Sequence, residues 1–178
     1  TMSGAWLISE ESFFDLEFID FMKLRLSYGI SGNDQIANFA YRALLNGEGV
    51  YVFDDLITIG TALGRAANPD LKWEETSQLN IGFDARLFND FSLGFDWYKK
   101  ETTGILQPVT IPGYVGAIGS PTGNVADMEN TGVDFEVGYN KKINDVNLSL
   151  NGNVSFLKNE VTFLGNGVDF LSGGESFQ

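Results

Sequence analysis

The chain has 178 residues with 11 Lys and Arg against 24 Asp and Glu, which gives a formal net charge of −13. This acidity argues against a nucleic-acid partner, because neutralising phosphates requires clustered basic side chains. The sequence contains no Cys and no His, which excludes disulfides, thiolate or histidine zinc sites and Ser-His-Asp triads.

The chain is rich in glycine and aromatic residues and poor in proline, with 21 Gly, 15 Phe and 4 Pro. This composition favours β-structure, because aromatic residues suit strands and proline cannot donate to the ladder. Alternation of apolar and polar residues predicts six strands. In chain order these span residues 3–9, 21–30, 72–87, 91–106, 130–140 and 145–161. Between the first two strands, the sequence of residues 10–20 predicts a short helical turn capped by Ser9.

Two hairpins show the alternation most strongly. The first covers residues 78–98 with a turn at 88–90, and the second covers 133–156 with a turn at 141–145. One side of these strands is almost wholly Leu, Ile, Val and aromatic. The other side is polar, and its charged residues are Asp84, Arg86, Asp96, Asp134 and Glu136.

This two-faced pattern is typical of two architectures. A soluble antiparallel sandwich or barrel buries the apolar side as its core, whereas a transmembrane β-barrel turns it towards lipid and encloses the polar side. Three features favour the membrane barrel: strands of about ten residues, short turns that alternate with long loops, and aromatic residues near strand ends. These aromatic residues are Phe88, Phe91, Trp97, Tyr98 and Tyr139.

Several segments resemble, in order, those of SusC/RagA-type TonB-dependent transporters. Residues 21–34 are similar to that family's "LKLRxSYGxxGN" segment, and residues 68–82 to its "NPxLKWExTxQxNxG" segment. Residues 87–100 resemble its turn and "DxYxKxT" strand. Residues 128–133 resemble its "MxNxGxE" segment, with Asp134 where Glu is common.

The resemblance implies an outer-membrane barrel of about 22 strands with an N-terminal plug and a TonB box, in Bacteroidetes-type bacteria. Such proteins import glycans or peptides together with a SusD-like surface lipoprotein that acts as a lid, while the TonB complex supplies energy. Residues 1–178 are then expected to be part of the barrel domain, in contact with outer-membrane lipid. No plug, TonB box or C-terminal strand is recognised in them. The resemblance implies neither catalysis nor a cofactor or metal.

Loop lengths predict the orientation of the strands. The short connections, 10–20, 88–90 and 141–145, are expected on the periplasmic side. The long ones, 31–71, 107–129 and the tail after residue 161, are expected outside. The first is too long for an ordinary loop unless it is functional or contains small extra strands. Four aromatic residues in or next to these outer regions are candidate substrate contacts, with packing or interface roles as the alternative: Tyr51, Phe53, Trp73 and Tyr114. Asp54 and Asp55 suggest either a calcium site or a solvated pair.

Two other functional classes stay open at this point. A soluble all-β carbohydrate-binding or adhesion module would bury the apolar side and present loop aromatics such as Trp73 or Tyr114. An acid-catalysed hydrolase would need two converging carboxylates, and only the abundance of acidic residues supports it.

Overall fold

The computed structural model describes residues 1–109, 111–117 and 119–165. Over these residues the fold is all-β, with single-turn 3-10 helices at Ile8–Glu10 and Gly113–Val115. The strands are β1 (Met2–Leu7), β2 (Ile19–Asn33), β3 (Leu44–Phe53), β4 (Leu56–Arg65), β5 (Glu74–Leu87), β6 (Phe91–Pro108), β7 (Thr122–Ile143) and β8 (Val146–Leu164). Among the described helices, none is long and apolar enough to cross a membrane.

Six strands form one sheet in the order β1-β2-β5-β6-β7-β8. Strands that follow one another along the chain are therefore neighbours, except where the separate β3–β4 hairpin is inserted between β2 and β5. The prediction of six up-and-down strands is confirmed, although several ends differ. The largest difference is that β7 begins at Thr122 rather than 130, and β2, β7 and β8 each extend three residues beyond their predicted ends, to Asn33, Ile143 and Leu164.

Residues 31–71, whose length left small extra strands open as an alternative, contain β3 and β4 as an antiparallel hairpin, with Phe53 opposite Leu56 and Val50 opposite Ile59. Apolar residues occupy successive positions of both strands near the turn, so no period of two marks them. A strand exposed on both sides has no reason to alternate.

Three further boundaries differ from prediction. The turn predicted at 141–145 is only two residues long, 144–145, because β7 extends to Ile143. The loop predicted at 107–129 ends where β7 begins. The predicted Ser9 cap is absent: the 3-10 helix follows Leu7 without a side-chain cap and contains Ser9 itself. Residues 166–178 of the predicted tail lie outside the described residues.

The chain divides into two compact units, of which the first comprises residues 1–31, 76–101 and 129–160. We call the side of this unit that carries Lys23, Arg25, Asp84, Asp96 and Asp134 the polar face, and the side that carries Leu24, Leu26, Phe83, Phe95 and Phe135 the apolar face. Stacking of Phe83 on Phe95, with ring centroids 5.5 Å apart, fits this assignment.

No second layer covers the apolar face within the described residues. Ala85 is the one buried hydrophobic residue described in this unit, whereas Leu150 is 59% and Phe156 is 68% exposed. A soluble sandwich would bury such side chains as its core. The sheet therefore presents two exposed faces of opposite polarity.

The predicted turn at 88–90 is confirmed, and neighbouring segments hold it on both sides. Phe88 and Asn89 have positive φ values of 52° and 57°, as in the tight turns that connect twisted antiparallel strands. The amide of Asn89 donates to Asp20 Oδ2 at 2.5 Å. On the other side, Lys141 Nζ lies 2.6 Å from Asp90 Oδ2.

The second unit comprises residues 32–75, 102–128 and 161–178. It contains the β3–β4 hairpin and three buried hydrophobic residues, Ala40, Val125 and Ala126. The side-chain amide of Asn68 donates to Thr122 O at 2.8 Å, so it ties the segment before β5 to the start of β7.

Candidate functional site

An ion-pair cluster joins β2, β5 and β6 on the polar face. Arg25 Nη2 donates to Asp84 Oδ1 at 3.0 Å and to Asp96 Oδ2 at 2.8 Å. Lys23 Nζ lies 3.0 Å from Asp84 Oδ2. The charges of Asp84 and Asp96, two of the residues predicted for this face, are thus balanced by two cations. Their side chains are 35–36% exposed, so water screens these pairs and each adds little stability.

The other predicted residues of the polar face have no such partner. Asp134, Glu136 and Arg86 form no ion pair within the part of the chain that is described. Glu136 and Arg86 line an open depression of about 500 Å³ together with side chains of β6 and β8, Ser92, Asn151 and Asn153. Asp134 and Glu136 line a second depression of about 470 Å³ with Asn80, Tyr98 and Ser155. This part of the polar face therefore exposes carboxylates, amides and hydroxyls that can form hydrogen bonds with a molecule bound there.

The four aromatic residues predicted as substrate contacts lie in three separate segments. Tyr51 and Phe53 lie on one side of β3 and are 72% and 71% exposed, and Tyr114 in the second 3-10 helix is 90% exposed. Trp73 is 61% exposed just before β5. No ring contact among the described residues joins any two of these four, so the structure does not assemble them into one site.

Asp54 and Asp55 form the turn between β3 and β4. Both have positive φ values, 50° and 58°, a conformation that Asp tolerates better than most residues. The turn geometry accounts for this pair of acidic residues without a bound cation.

The residues that carry the family resemblance contact one another across strands. Arg25 of the first motif reaches Asp96 of the third, and Asn80 of the second donates to Ser27 Oγ of the first at 3.0 Å. On the same face, the ring of Tyr98 lies where a Cβ on Gly132 would be, so the third motif meets the fourth.

Motif residues also contact one another across strands in the second unit. Glu74 accepts hydrogen bonds from the Leu106 amide at 2.8 Å and from Asn33 Nδ2 at 3.0 Å. The indole Cδ1 of Trp73 would lie 3.3 Å from a Cβ on Gly32. These motif residues therefore hold strands together, and Trp73 lies against Gly32 while it remains 61% exposed.

Asn124 supplies a further clamp that sequence reasoning missed. Its Oδ1 accepts from the Lys72 amide at 2.9 Å, and its Nδ2 donates to Lys72 O at 2.8 Å and to Gly104 O at 2.7 Å. Gly104 has a φ of 68°, and its amide donates to Asp127 Oδ1 at 2.8 Å. A glycine inside a long strand pattern is the sequence feature that could have indicated a local irregularity at this position.

The sequence did not predict that Lys23 and Arg25 pair with Asp84 and Asp96, or that Tyr98 packs against Gly132. Their alternation with apolar residues was visible, but the strand register that brings Arg25 to Asp96 was not. A Cys nucleophile and a His base are both excluded on this face, since the chain contains neither residue. Its chemistry is that of polar contact.

The comparisons with known proteins agree on one family. The family model described as TonB dependent receptor-like, beta-barrel matches residues 13–173. The TonB-dependent receptor P26 of Formosa agariphila is 37% identical over 139 residues, which are 77% of this chain and 14% of that protein. The TonB-dependent receptor SusC of Bacteroides thetaiotaomicron is 34% identical over 143 residues, again 77% and 14%.

Solved structures of a peptide importer, RagAB, share the fold. Its closed-closed state matches with a TM-score of 0.77 and 31% identity over 96% of this chain and 19% of that one. Its open-open state matches with a TM-score of 0.77 and 30% identity. The named relatives are receptors and importers rather than enzymes. The chain spans about a seventh of the length of the curated relatives that it matches. It belongs to the TonB-dependent receptor family, as a part of the β-barrel.

Proposed function

We propose that this chain is part of the wall of an outer-membrane, TonB-dependent importer of oligosaccharides or peptides that works with a SusD-like lipoprotein. The observation that supports this proposal is that one sheet has an apolar face with no covering layer and a polar face on its other side. Lipid removes the need for a second layer, because the hydrocarbon takes the place of a protein core. The residues proposed to face the lumen are Asp84, Arg86, Asp96, Asp134 and Glu136.

The polar face has two parts with different proposed roles. The cluster of Arg25 with Asp84 and Asp96 is internally neutralised, and we assign it to stiffening the wall. Asp134, Glu136 and Arg86 keep their charges available, together with the amides of Asn151 and Asn153. These groups suit contact with a polar cargo or with the plug that fills such a lumen in intact importers.

The β3–β4 hairpin is the proposed contact for the lipoprotein lid. Tyr51, Phe53 and Leu56 lie on one side of it and are at least 70% exposed. Exposed apolar patches of this kind commonly mark protein interfaces, and aromatic residues are enriched at their centres. Tyr114, which is 90% exposed, is the second candidate for this contact.

Uptake by the intact protein with its lipoprotein tests the proposal. Cells that carry both proteins are incubated with a labelled oligosaccharide mixture or a labelled peptide mixture, with and without an uncoupler that collapses the proton gradient. We expect uptake of one class that depends on the gradient. Recovery of the protein in the soluble fraction, with no uptake of either mixture, would contradict the proposal.

Variants of the hairpin test the lid contact. The double variant Tyr51→Ser with Phe53→Ser is expected to weaken co-purification of the lipoprotein several-fold. The control is Val50→Thr with Ile59→Thr, which alters the opposite side of the same hairpin. Equal loss in both variants would indicate that the hairpin itself was disturbed, and no loss in either would place the lid contact elsewhere.

A further inference from the structure

A cluster of arginine and aromatic side chains lies in the second unit, outside the segments that carry the family resemblance. We call it the arginine–aromatic cluster, and its members are Phe39, Tyr41, Arg42 and Arg65. Ala40 is buried, whereas Phe39 and Tyr41 on either side of it are exposed. The amide of Asn68 donates to Tyr41 O at 3.0 Å. The segment that precedes β3 is therefore anchored, and it presents two exposed rings.

Phe39 holds both arginines beside it. Its carbonyl oxygen accepts a hydrogen bond from the Arg42 amide at 2.9 Å and another from Arg65 Nη2 at 3.4 Å. The φ of Phe39 is 60°, a conformation that a bulky residue rarely adopts. Strained backbone of this kind is concentrated at ligand-binding and catalytic positions. This turn brings two guanidinium groups and an aromatic ring to one place.

The guanidinium of Arg42 is held in position by its neighbours. Its Cζ lies 5.3 Å from the ring centroid of Phe39 and 5.4 Å from that of Tyr41. Its Nε donates to Tyr41 Oη at 3.2 Å. Among the described residues, its two terminal nitrogens have no hydrogen-bond acceptor. These nitrogens form the fork that binds both oxygens of a carboxylate.

The charges of the arginine–aromatic cluster are not neutralised within the part of the chain that the structure describes. Arg42 and Arg65 form no ion pair there, although acidic residues outnumber basic ones by 24 to 11 in the sequence. Arg25, by contrast, contacts two carboxylates. In addition, the Nε of Arg65 is buried without a hydrogen-bond partner, and an unpaired buried donor is costly. The cluster therefore keeps both positive charge and unused donors.

We propose that the arginine–aromatic cluster binds a carboxylate group of the cargo. The carboxylate accepts hydrogen bonds from the terminal nitrogens of Arg42, and Arg65 contributes the second positive charge. The rings of Phe39 and Tyr41 contact the part of the ligand next to the carboxylate. A peptide carries such a group at its C-terminus, and an oligosaccharide carries it in uronic acids. The inference rests on the proposed import function and adds that the cargo is a carboxylic acid.

Pairs of probes that differ only in the carboxylate test the proposal. Cells that carry the intact protein and its lipoprotein receive a labelled mixture of peptides without Asp or Glu, with either free or amidated C-termini. The second pair is a labelled mixture of uronic-acid oligosaccharides and its methyl ester. For at least one pair, we expect uptake at limiting concentration to be about ten-fold greater for the free acid, the effect of one charge-assisted hydrogen bond.

Variants assign this preference to the cluster. Arg42→Gln is expected to reduce the preference to about three-fold, and the double variant with Arg65→Gln should abolish it. Arg42→Lys should retain only part of it, because an ammonium cannot form the fork. The matched control is Lys72→Gln, which removes one exposed positive charge from the same unit and should retain the full preference. Uptake is normalised to the amount of each variant that is assembled in the membrane.

Four results would contradict the proposal, and they separate its failure from that of the import function. Gradient-dependent uptake at equal rates within both probe pairs would overturn the carboxylate site but not import, and this comparison needs no variant. An undiminished preference in the double variant would place carboxylate recognition elsewhere. Weaker co-purification of the lipoprotein with Arg42→Gln, at unchanged preference, would make the cluster a protein contact instead. No uptake of any probe would contradict the import function itself.

Discussion

Arg25 and Asp96 are two strands apart in the sheet, yet the guanidinium Nη2 of Arg25 lies 2.8 Å from Asp96 Oδ2. Gly82 of the intervening strand makes this contact possible. A Cβ at position 82 would collide with Asp96 Oδ1 and would lie 2.7 Å from Phe95 O. The contact between Arg25 and Asp96 therefore requires that position 82 has no side chain.

Gly82→Ala is expected to lower the free energy of unfolding by about 1–3 kcal/mol, the usual effect of overpacking. The obstruction includes a backbone oxygen, which cannot rotate away as a side chain can. Gly94→Ala on the same face is the control, because its nearest neighbour would be Glu136 Cβ at 3.5 Å, an ordinary contact. Urea titration of the intact protein in vesicles measures both. Equal losses would show that position 82 is not specially constrained.

A double-mutant cycle measures the pair itself. Arg25→Gln and Asp96→Asn should show a coupling energy of about 0.5–1 kcal/mol, because both side chains are about one-third exposed and screened. The coupling should shrink as salt is added. The corresponding cycle with Lys100→Gln, which has no ion pair to Asp96, should give none. Absence of coupling for Arg25 at low salt would contradict the geometry.

A charge on the apolar face should disturb insertion. Phe95→Arg is expected to cost about 2–4 kcal/mol if this residue lies near the middle of the hydrocarbon. Ser92→Arg, on the polar face of the same strand, is the control and should assemble normally. The assembled fraction is measured from heat-modifiable migration of the intact protein on gels. Normal assembly of Phe95→Arg would argue against the assignment of the two faces.

The Asp54–Asp55 turn should depend on backbone conformation rather than on charge. Replacing both residues by Asn removes the carboxylates but keeps residues that tolerate positive φ, so the hairpin should persist. Asp55→Val places a β-branched residue at a φ of 58°, at an expected cost of about 1–2 kcal/mol. Limited proteolysis at the turn of the intact protein reports the difference. Faster cleavage of the Asn variant than of Asp55→Val would contradict the turn assignment.

The sequence predicts the strands whose two sides differ. Leu79 to Leu87 and Phe91 to Trp97 alternate strictly, because each strand has one polar and one apolar environment. Residues 44–65 contain no such contrast, so β3 and β4 could not be recognised. The start of β7 was hidden for a related reason, since Val125 and Ala126 are both buried although they are adjacent.

The candidate site was predictable only as a list of side chains. Alternation places Asp84, Asp96, Asp134 and Glu136 on one side of the sheet, but it does not give the register between strands. Register decides that Asp84 and Asp96 receive cations whereas Asp134 and Glu136 do not. It also decides that Trp73 lies against Gly32, a contact that alternation alone does not show.

The contacts between motif residues have a consequence for what the motifs can report. Arg25, Asn80, Tyr98 and Glu74 each contact a partner from another strand. Under the proposed import function, a relative could keep all four residues and still carry a different cargo. The shared motifs would then indicate how the barrel wall is built, and cargo selectivity would depend on positions outside them.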